Sequence, residues 1–364
     1  MKYYRIIGFA VASALSIGGF AMLTSANEIE LNRDFNIQTL SGDASVLNGV
    51  GLEATIKTGQ SSFETVLLTN GEVIFKDTKY DMYRYVGEDV LENREVYREM
   101  YYPAVVENDE YLMAAEIVSG FPYATDKPIV QLNILDKNNG EVVKYESLID
   151  VTTAEYIYYE DLHEFNGEYY YATISQNMRG NQSKLLVYVI NPKTGEFNKH
   201  YEMEGSSIYE LKMVNGNLVT KQYTDQEGDK LIVLNLKTME IKEVNVSEEA
   251  GIEYIGQFYT SNDELYIETN DMLYPVDLEN VQFLPHIGGR PEALMAEDCW
   301  GWITDFLVQD DNVYMLYDVS GDTIASYQLL QVCDKTTGEI IYQGKLVQRG
   351  DQGVVDGFQL VEVK

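Results

Sequence analysis

The 364 residues of the chain include 59 acidic and 26 basic side chains, which gives a formal net charge of −33 at pH 7. A protein this acidic repels phosphate backbones and anionic lipid surfaces, so its charge argues against nucleic-acid binding. The three histidines include no pair at ligand spacing, which argues against a zinc site.

The chain begins with the features of an export signal. Lys2 and Arg5 precede an uncharged run, residues 6–23, and small residues then lead up to Ala26. This pattern predicts a secretory signal peptide, residues 1–26, cleaved after Ala26. The 18 residues of the uncharged run are just enough to span a bilayer, so an uncleaved N-terminal membrane anchor is the alternative. Either outcome predicts a secreted or anchored protein at the cell surface.

From residue 52 onward, one hairpin pattern recurs along the chain. Each copy is a turn centred on Asn or Asp, followed by a strand rich in aromatic and β-branched residues. The six copies begin at residues 70, 108, 166, 215, 262 and 310. Asn-Gly and similar pairs favour tight hairpin turns because both central residues need positive φ. Each copy therefore predicts a β-hairpin.

A second hairpin pattern follows most copies of the first. An apolar strand ends in Asp or Asn, a short polar turn follows, and another strand begins. The Asp or Asn stands at positions 136, 191, 235, 277 and 334. Its side chain caps the amides of the turn, and Gly supplies a left-handed residue. Two hairpins every 40 to 58 residues or so amount to one four-stranded sheet per repeat.

The turn at residues 334–339, Asp-Lys-Thr-Thr-Gly-Glu, carries a family likeness. An Asp-x-x-Thr-Gly-Glu turn after a strand resembles the blade turn of quinoprotein-like and YncE-like β-propellers. The resemblance covers the chain from about residue 53 to its end. It implies an all-β propeller of about six blades, or seven if the lead-in and the tail form another. Members of this superfamily include cofactor-using dehydrogenases, scaffold proteins and binding modules, so function does not transfer with the fold.

The predicted blades divide the chain into three parts: residues 1–26, a polar lead-in at 27–51, and one propeller domain at 52–364. We expect part of the lead-in to add a strand to the last blade, and the tail, residues 354–363, to pair with the first. Residues 88–101 contain good helix formers in a rough helical stripe, which predicts a short helix inserted between blades.

Two features predict possible stabilising sites. Asp136 and Asn138 alternate oxygen ligands as a calcium loop does, although the series lacks the distal bidentate Glu. The plainer interpretation is that they only shape a turn. Cys299 and Cys333 belong to an exported chain, which permits a disulfide between them, while two buried thiols are equally natural.

The candidate binding residues are aromatic. Tyrosine is the compositional outlier, with 29 copies, and most should pack between blades. Tyr158, Tyr159, Trp300 and Trp302 are the positions where exposure would suit stacking on sugar rings or peptide side chains. The acidic doublet Glu160-Asp161 is not predicted to be catalytic, because adjacent strand residues point to opposite faces.

These observations favour a monomeric, exported bacterial β-propeller that binds a protein or a glycan at the cell surface without catalysis. No cofactor is implied, apart from the calcium site, and the membrane is contacted only through the N-terminal segment. One alternative is a quinoprotein-like or glycan-cleaving enzyme with an acidic axial site. The other is a sensory ectodomain anchored by its N-terminal helix.

Overall fold

The computed structural model describes the chain between residues 35 and 363, with gaps. The described ranges are 35–57, 62–69, 72–80, 93–100, 103–119, 128–150, 155–177, 182–225, 228–246, 252, 254–269, 272–291, 299–322, 326–348 and 355–363. Within these ranges, no helix is long and apolar enough to cross a bilayer. The predicted signal or anchor lies outside them.

The described residues form twenty-five strands and one 3₁₀ turn, Ala44–Leu47. The first strands are β1 (Phe35–Gly42), β2 (Val50–Lys57), β3 (Ser62–Thr69), β4 (Glu72–Tyr80), β5 (Ala104–Glu107), β6 (Tyr111–Ser119), β7 (Ile129–Asp136), β8 (Glu141–Leu148), β9 (Glu155–Phe165), β10 (Glu168–Asn177), β11 (Gln182–Asn191) and β12 (Glu196–Ser206). The remaining strands are β13 (Ile208–Val214), β14 (Asn217–Thr224), β15 (Gly228–Asn235), β16 (Ile241–Asn245), β17 (Phe258–Ser261), β18 (Glu264–Thr269), β19 (Met272–Asp277), β20 (Gln282–Phe283), β21 (Cys299–Gln309), β22 (Asn312–Gly321), β23 (Tyr327–Asp334), β24 (Ile340–Gln348) and β25 (Val355–Glu362).

The strands pair into six sheets, one for each predicted repeat. Blade 1 has the order β25-β2-β3-β4, and blades 2 to 5 contain β5–β8, β9–β12, β13–β16 and β17–β20. Blade 6 has the order β1-β24-β23-β22-β21, with β1 as a fifth strand at its edge. The predicted all-β, propeller-like fold is therefore confirmed, and the described residues form six blades rather than seven.

The turns between first and second strands have the backbone that the hairpin pattern predicts. Asn166 and Gly167 have positive φ, 54° and 79°, and Asn215 and Gly216 have 47° and 70°. At Gly216 an added Cβ would lie 2.4 Å from the Phe165 ring, so glycine is needed there for space as well as for conformation. The predicted hairpins are confirmed at these turns.

Both terminal strands pair as the sequence predicts. β25 lies antiparallel to β2, from the Val50–Glu362 pair to the Ile56–Val355 pair. The lead-in strand β1 pairs with the outer strand β24 of blade 6. Each pairing covers an edge that would otherwise expose unpaired backbone groups.

Contacts between Cα atoms divide the chain into two compact units. The smaller unit consists of residues 1–85, 327–330 and 342–364, and the larger unit of residues 86–326 and 331–341. The division passes through β23 and β24.

In the larger unit, the core lies between successive blades. Leu132 of β7 and Tyr188 of β11 belong to one buried cluster that joins blades 2 and 3. Two further clusters join blade 3 to blade 4 and blade 4 to blade 5. Residues 169–175 of β10 are all buried. Because this strand is covered on both faces, its sequence is a continuous run of buried residues rather than an alternation.

The helix predicted near residues 88–101 is wrong for the part that the structure describes. Residues 93–100 form a run of turns. Val96 is fully buried, and its carbonyl accepts a 2.6 Å hydrogen bond from the Asn133 side chain of β7. In a helix, this carbonyl would accept a hydrogen bond from the N–H of residue 100. Here the Asn133 side chain of blade 2 takes the place of that donor.

The disulfide predicted as one alternative is wrong, because Cys299 and Cys333 are not bonded to each other. Cys299 lies opposite Gly321, the last residue of β22. Lys335, two residues after Cys333, donates its N–H to the carbonyl of Asp311, just before β22 begins. The cysteines therefore lie near opposite ends of one strand, roughly 25 Å apart, which is too far to bridge. Burial raises the pKa of Cys333 to about 12.

Removing side-chain packing between the tail strand and blade 1 should destabilise the smaller unit. Leu360 of β25 is buried opposite Leu52, whereas the neighbouring Gln359 is exposed. We expect Leu360→Ala to lower the free energy of unfolding by about 2–4 kcal/mol, measured by urea denaturation. The control Gln359→Ala should change it by less than about 0.5 kcal/mol. Equal effects of the two variants would show that β25 contributes no specific packing.

Candidate functional site

The first strands of blades 2 to 6 follow one another through the larger unit. β5 contacts β9, β9 contacts β13, β13 contacts β17, and β17 contacts β21. Each first strand begins at the end of its blade where the second strand ends, and we call this end the rim end. The opposite end carries the Asn- and Asp-centred turns.

Blade 4 holds the beginning of blade 5 through both polar groups of one backbone residue. Lys221 Nζ of β14 donates hydrogen bonds to the carbonyls of Ile255 and Gly256, each at 2.8 Å. Asp229 Oδ2 of β15 accepts the Ile255 N–H at 2.7 Å. Burial lowers the pKa of Lys221, and the carboxylates of Glu210 and Asp229 oppose that shift. The lysine and the aspartate together fix the position of Ile255.

Blade 5 holds blade 6 in the same way. Glu268 Oε1 of β18 accepts the Ile303 N–H at 3.5 Å, and Tyr259 OH of β17 lies 3.0 Å from the Ile303 carbonyl. The same hydroxyl lies 2.9 Å from Gln257 Oε1 and 3.1 Å from Glu268 Oε2, so its one proton serves one of three acceptors. Burial, and then the charge of Glu268, raises the pKa of Tyr259, which keeps the hydroxyl protonated. We call these two sets of hydrogen bonds the backbone clamps.

In blade 3, two adjacent carboxylates bind the blades on either side. Glu160 Oε1 accepts the N–H of Ile117 in blade 2 at 3.0 Å, and Asp161 Oδ2 accepts the N–H of Met213 in blade 4 at 2.6 Å. Tyr171 also donates its hydroxyl proton to Glu160. Burial raises the pKa of Glu160 to about 7 and that of Asp161 to about 6. The doublet points to opposite faces, as the sequence predicts.

Exposed aromatic side chains gather at the rim end of blades 4, 5 and 6. Their exposed fractions lie between 38% and 48%. We call them the aromatic rim, and its members are Tyr209, Tyr223, Tyr254, Trp300 and Trp302. Three successive blades therefore present apolar rings to solvent at one end.

The backbone clamps position two members of the aromatic rim. Tyr254 directly precedes Ile255, and Trp302 directly precedes Ile303. Both isoleucines are buried. Successive residues of a strand point to opposite sides, so burial of Ile303 turns Trp302 of β21 outward. Tyr254 is likewise exposed beside the buried Ile255.

Polar side chains accompany the exposed rings. Trp302 is paired with Asp318, and Trp300 with Ser320, across β21 and β22. Directly opposite residues of an antiparallel pair share a face, so each indole has a hydrogen-bonding group beside it. Burial raises the pKa of the Asp318 carboxyl. Rings with adjacent polar groups are the composition of a binding surface for an amphipathic ligand.

The structure brings together two of the four predicted binding residues. Trp300 and Trp302 are exposed two positions apart on β21. Tyr159 is half-buried and hydrogen-bonds the Glu210 carboxylate; burial and then this charge raise its pKa. The side chain of Tyr158 lies outside the described side chains. The binding roles of these residues stay predictions.

Three rim residues were missed by the sequence patterns: Tyr209, Tyr223 and Tyr254. In a chain with 29 tyrosines, the sequence around an exposed tyrosine does not differ from the sequence around a buried one. One weak signal existed, because Tyr254-Ile255 repeats the aromatic–isoleucine order of Trp302-Ile303 at the beginning of a blade.

The predicted calcium ligands are occupied by their own turn. Asp136 Oδ1 accepts the Asn138 N–H at 2.9 Å, and Asp136 Oδ2 accepts a hydrogen bond from the Asn139 side chain at 3.1 Å. Among the described residues, no group of three or more His, Cys, Asp or Glu could hold a metal ion. Calcium binding at this turn stays a prediction.

A polar cleft of about 430 Å³ lies at the turn end of blades 4 and 5. Its polar groups mainly serve local structure. Asp277 Oδ1 accepts the N–H groups of Glu279 and Asn280, and Lys242 donates to the Glu279 carbonyl at 2.5 Å. The aromatic rim is therefore the stronger candidate for a functional surface.

Comparisons with known proteins concern the fold alone. No family model and no curated protein matches the chain. The chain is similar to the polysaccharide lyase Uly1 at 11% identity and a TM-score of 0.40, over 64% of this chain and 58% of that one. It is similar to the acylaminoacyl peptidase of Pyrococcus horikoshii at 11% identity and a TM-score of 0.45, over 86% of this chain and 53% of that one. It is similar to prolyl oligopeptidase B from Galerina marginata at 10% identity and a TM-score of 0.42, over 85% of this chain and 45% of that one. The chain spans about half the length of these proteins.

The partly buried carboxylate of Glu160 should make stability depend on pH. Its pKa is about 7 in the folded protein against an ordinary value of 4.5, so the native state holds the proton more tightly than the unfolded chain. Stability from this group therefore rises as the pH falls from 7 toward 4.5. We expect Glu160→Gln to remove about 2 kcal/mol of that rise, measured by denaturant unfolding at several pH values.

The matched control is Glu141→Gln, which removes an exposed carboxylate of β8 and the same net charge. It should leave the pH dependence as in the unmodified protein. The same pH dependence in Glu160→Gln and in the unmodified protein would contradict the assignment.

Proposed function

We propose that this protein is an exported bacterial binding protein that holds a glycan on its aromatic rim without cleaving it. The observation that carries the proposal is the exposure of five aromatic side chains at the rim end of three successive blades. A protein partner is the other ligand class that the sequence favours, and the experiment below distinguishes the two.

The chemistry of the rim suits sugar rings. The faces of a sugar ring carry C–H groups that pack against flat aromatic surfaces, while the hydroxyl groups at its edge need hydrogen-bond partners. Asp318 beside Trp302 and Ser320 beside Trp300 supply such partners. A series of rings across three blades suits an oligosaccharide rather than a single sugar.

The backbone clamps support binding because they limit the cost of ordering the site. Hydrogen bonds hold Ile255 through both its N–H and its carbonyl, and they hold Ile303 through its N–H, with the Tyr259 hydroxyl 3.0 Å from the Ile303 carbonyl. The residues before these two isoleucines therefore sit on fixed backbone. A surface that is ordered before the ligand arrives loses less conformational entropy on binding.

The net charge of −33 favours one class of glycan over another. Anionic polysaccharides are repelled, whereas neutral and amino-sugar chains are not. We therefore propose a neutral or basic glycan as the ligand.

Binding is favoured over cleavage by the position of the carboxyl groups. Cleavage of a glycosidic bond requires two carboxyls that face each other across the substrate. Glu160 and Asp161 have pKa values suited to proton transfer, about 7 and about 6, yet both are partly buried and each accepts a backbone N–H from a neighbouring blade. They serve the fold, and the enzyme alternative finds no support from them.

Loss of a rim ring should weaken glycan binding. On an array of neutral, amino-sugar and anionic oligosaccharides, we expect the full-length protein to retain neutral or amino-sugar chains. Isothermal titration with a retained oligosaccharide should show that Trp302→Ala and Tyr254→Ala each lower affinity about tenfold or more, the usual cost of truncating an aromatic hot spot.

The control for the rim variants is Ile241→Ala, which removes an exposed apolar side chain at the turn end of blade 4 and should leave affinity unchanged. A blank array would contradict a glycan ligand and leave a protein partner. Release of shorter oligosaccharides would contradict binding without cleavage and favour the enzyme alternative.

Export can be tested separately from binding. We propose that residues 1–26 direct the chain out of the cytoplasm and are then removed. Mass spectrometry of the mature protein, expressed in a bacterial host and recovered from outside the cytoplasm, should give Asn27 as its first residue. A membrane-bound product that retains residues 1–26 would instead support the anchored alternative and keep a sensory role open.

A further inference from the structure

The smaller unit contains a cavity of about 390 Å³ that the aromatic rim does not use. Its lining comes from the lead-in strand β1, the 3₁₀ turn after it, strands β2 and β3 of blade 1, and the parts of β23 and β24 that belong to this unit. We call it the lead-in cavity. Its volume lies within the range of pockets that hold small molecules.

The lining of the lead-in cavity is apolar over most of its area and contains no charged side chain. Ile37, Leu47, Leu52 and Leu68 supply much of the apolar surface. This neutrality stands out in a chain with 59 acidic residues. Because burying an unpaired charge is costly, the cavity suits an uncharged ligand.

The lead-in cavity also carries hydrogen-bonding groups. Thr39 Oγ1 lies 3.3 Å from Tyr342 OH, and either hydroxyl can donate to the other. Each oxygen keeps further capacity to accept or donate. The lining residues Asn36 and Thr69 each hold a buried side-chain oxygen without a hydrogen-bond partner among the described residues. Buried polar atoms are normally paired, so this set has capacity that the fold does not use.

We propose that the lead-in cavity binds a small, uncharged, mainly apolar molecule that carries a hydroxyl group. Its apolar body packs against the leucine and isoleucine side chains, and its hydroxyl joins the Thr39–Tyr342 pair. The ligand class follows from the neutral lining and the few polar groups. The site is separate from the aromatic rim and does not depend on glycan binding.

The test uses two fluorinated probes that differ in one group. The first is 6-fluoro-2-naphthol, and the second is 2-fluoro-6-methylnaphthalene, in which a methyl group replaces the hydroxyl. Binding to the full-length protein is followed by ¹⁹F NMR titration at pH 7. We expect saturable binding of both probes, with the naphthol bound about fivefold more tightly, as one added hydrogen bond predicts.

Two variants locate the probes in the lead-in cavity. Tyr342→Phe keeps the ring but removes its hydroxyl, so the fivefold preference should fall to about one. Leu47→Trp fills space beside the 3₁₀ turn and should abolish binding of both probes, with folding checked by thermal melting. Trp302→Ala, on the aromatic rim, should leave both affinities unchanged.

Three results would overturn the proposal: no saturable binding of either probe, an unchanged preference in Tyr342→Phe, or loss of both probes in Trp302→Ala. If Leu47→Trp does not fold, Tyr342→Phe alone decides, because it changes one buried atom and keeps the packing of the ring.

Discussion

Hydrogen bonds between partly or fully buried polar side chains and the backbone of a neighbouring blade set the geometry of the larger unit. Apolar clusters between blades supply most of the burial, but apolar packing is not directional. The clamp on Ile255 engages both the N–H and the carbonyl of that residue, and the clamp on Ile303 engages its N–H, with the Tyr259 hydroxyl 3.0 Å from its carbonyl. These directional contacts fix the position of the strand that follows or contains each isoleucine. Glu160 and Asp161 extend the same principle to blades 2 and 4.

The hydrogen bonds between blades carry a cost in stability at neutral pH. A carboxylate with a raised pKa destabilises the folded protein at neutral pH relative to acid, because burial penalises its charged form. Glu160 and Asp161 remain between the blades despite this cost, and their hydrogen bonds hold the strands of blades 2 and 4 in position against blade 3. The residues of the aromatic rim lie on or next to strands of blades 4, 5 and 6 that contact a neighbouring blade. Rigid backbone beneath exposed rings is what a binding surface needs to avoid a large entropic loss.

The two proposed sites differ in the physics of recognition. The aromatic rim is open, presents flat rings, and lies on a strongly acidic protein, so charge selects among its ligands. The lead-in cavity is neutral and mostly apolar, so shape and one or two hydrogen bonds select there. The lead-in cavity depends on the return of the lead-in strand β1 to the edge of blade 6, because β1 and the 3₁₀ turn after it supply part of the cavity wall.

The six blades, the hairpin turns and the two terminal pairings follow from the sequence, because each depends on local chemistry: strand patterns, positive-φ turn residues and a regular repeat. The sequence also identifies Trp300 and Trp302 as candidate exposed aromatic residues, because two tryptophans so close together are unusual in this chain. The contacts between blades were not, because Glu160 and Ile117 are 43 positions apart and nothing in either segment identifies its partner. The same reason explains the turns at residues 93–100, where the Asn133 side chain donates a hydrogen bond to the Val96 carbonyl, and the separation of Cys299 and Cys333 to opposite ends of a strand. Tertiary structure decided which of many tyrosines face solvent, because exposure depends on what the neighbouring blade covers.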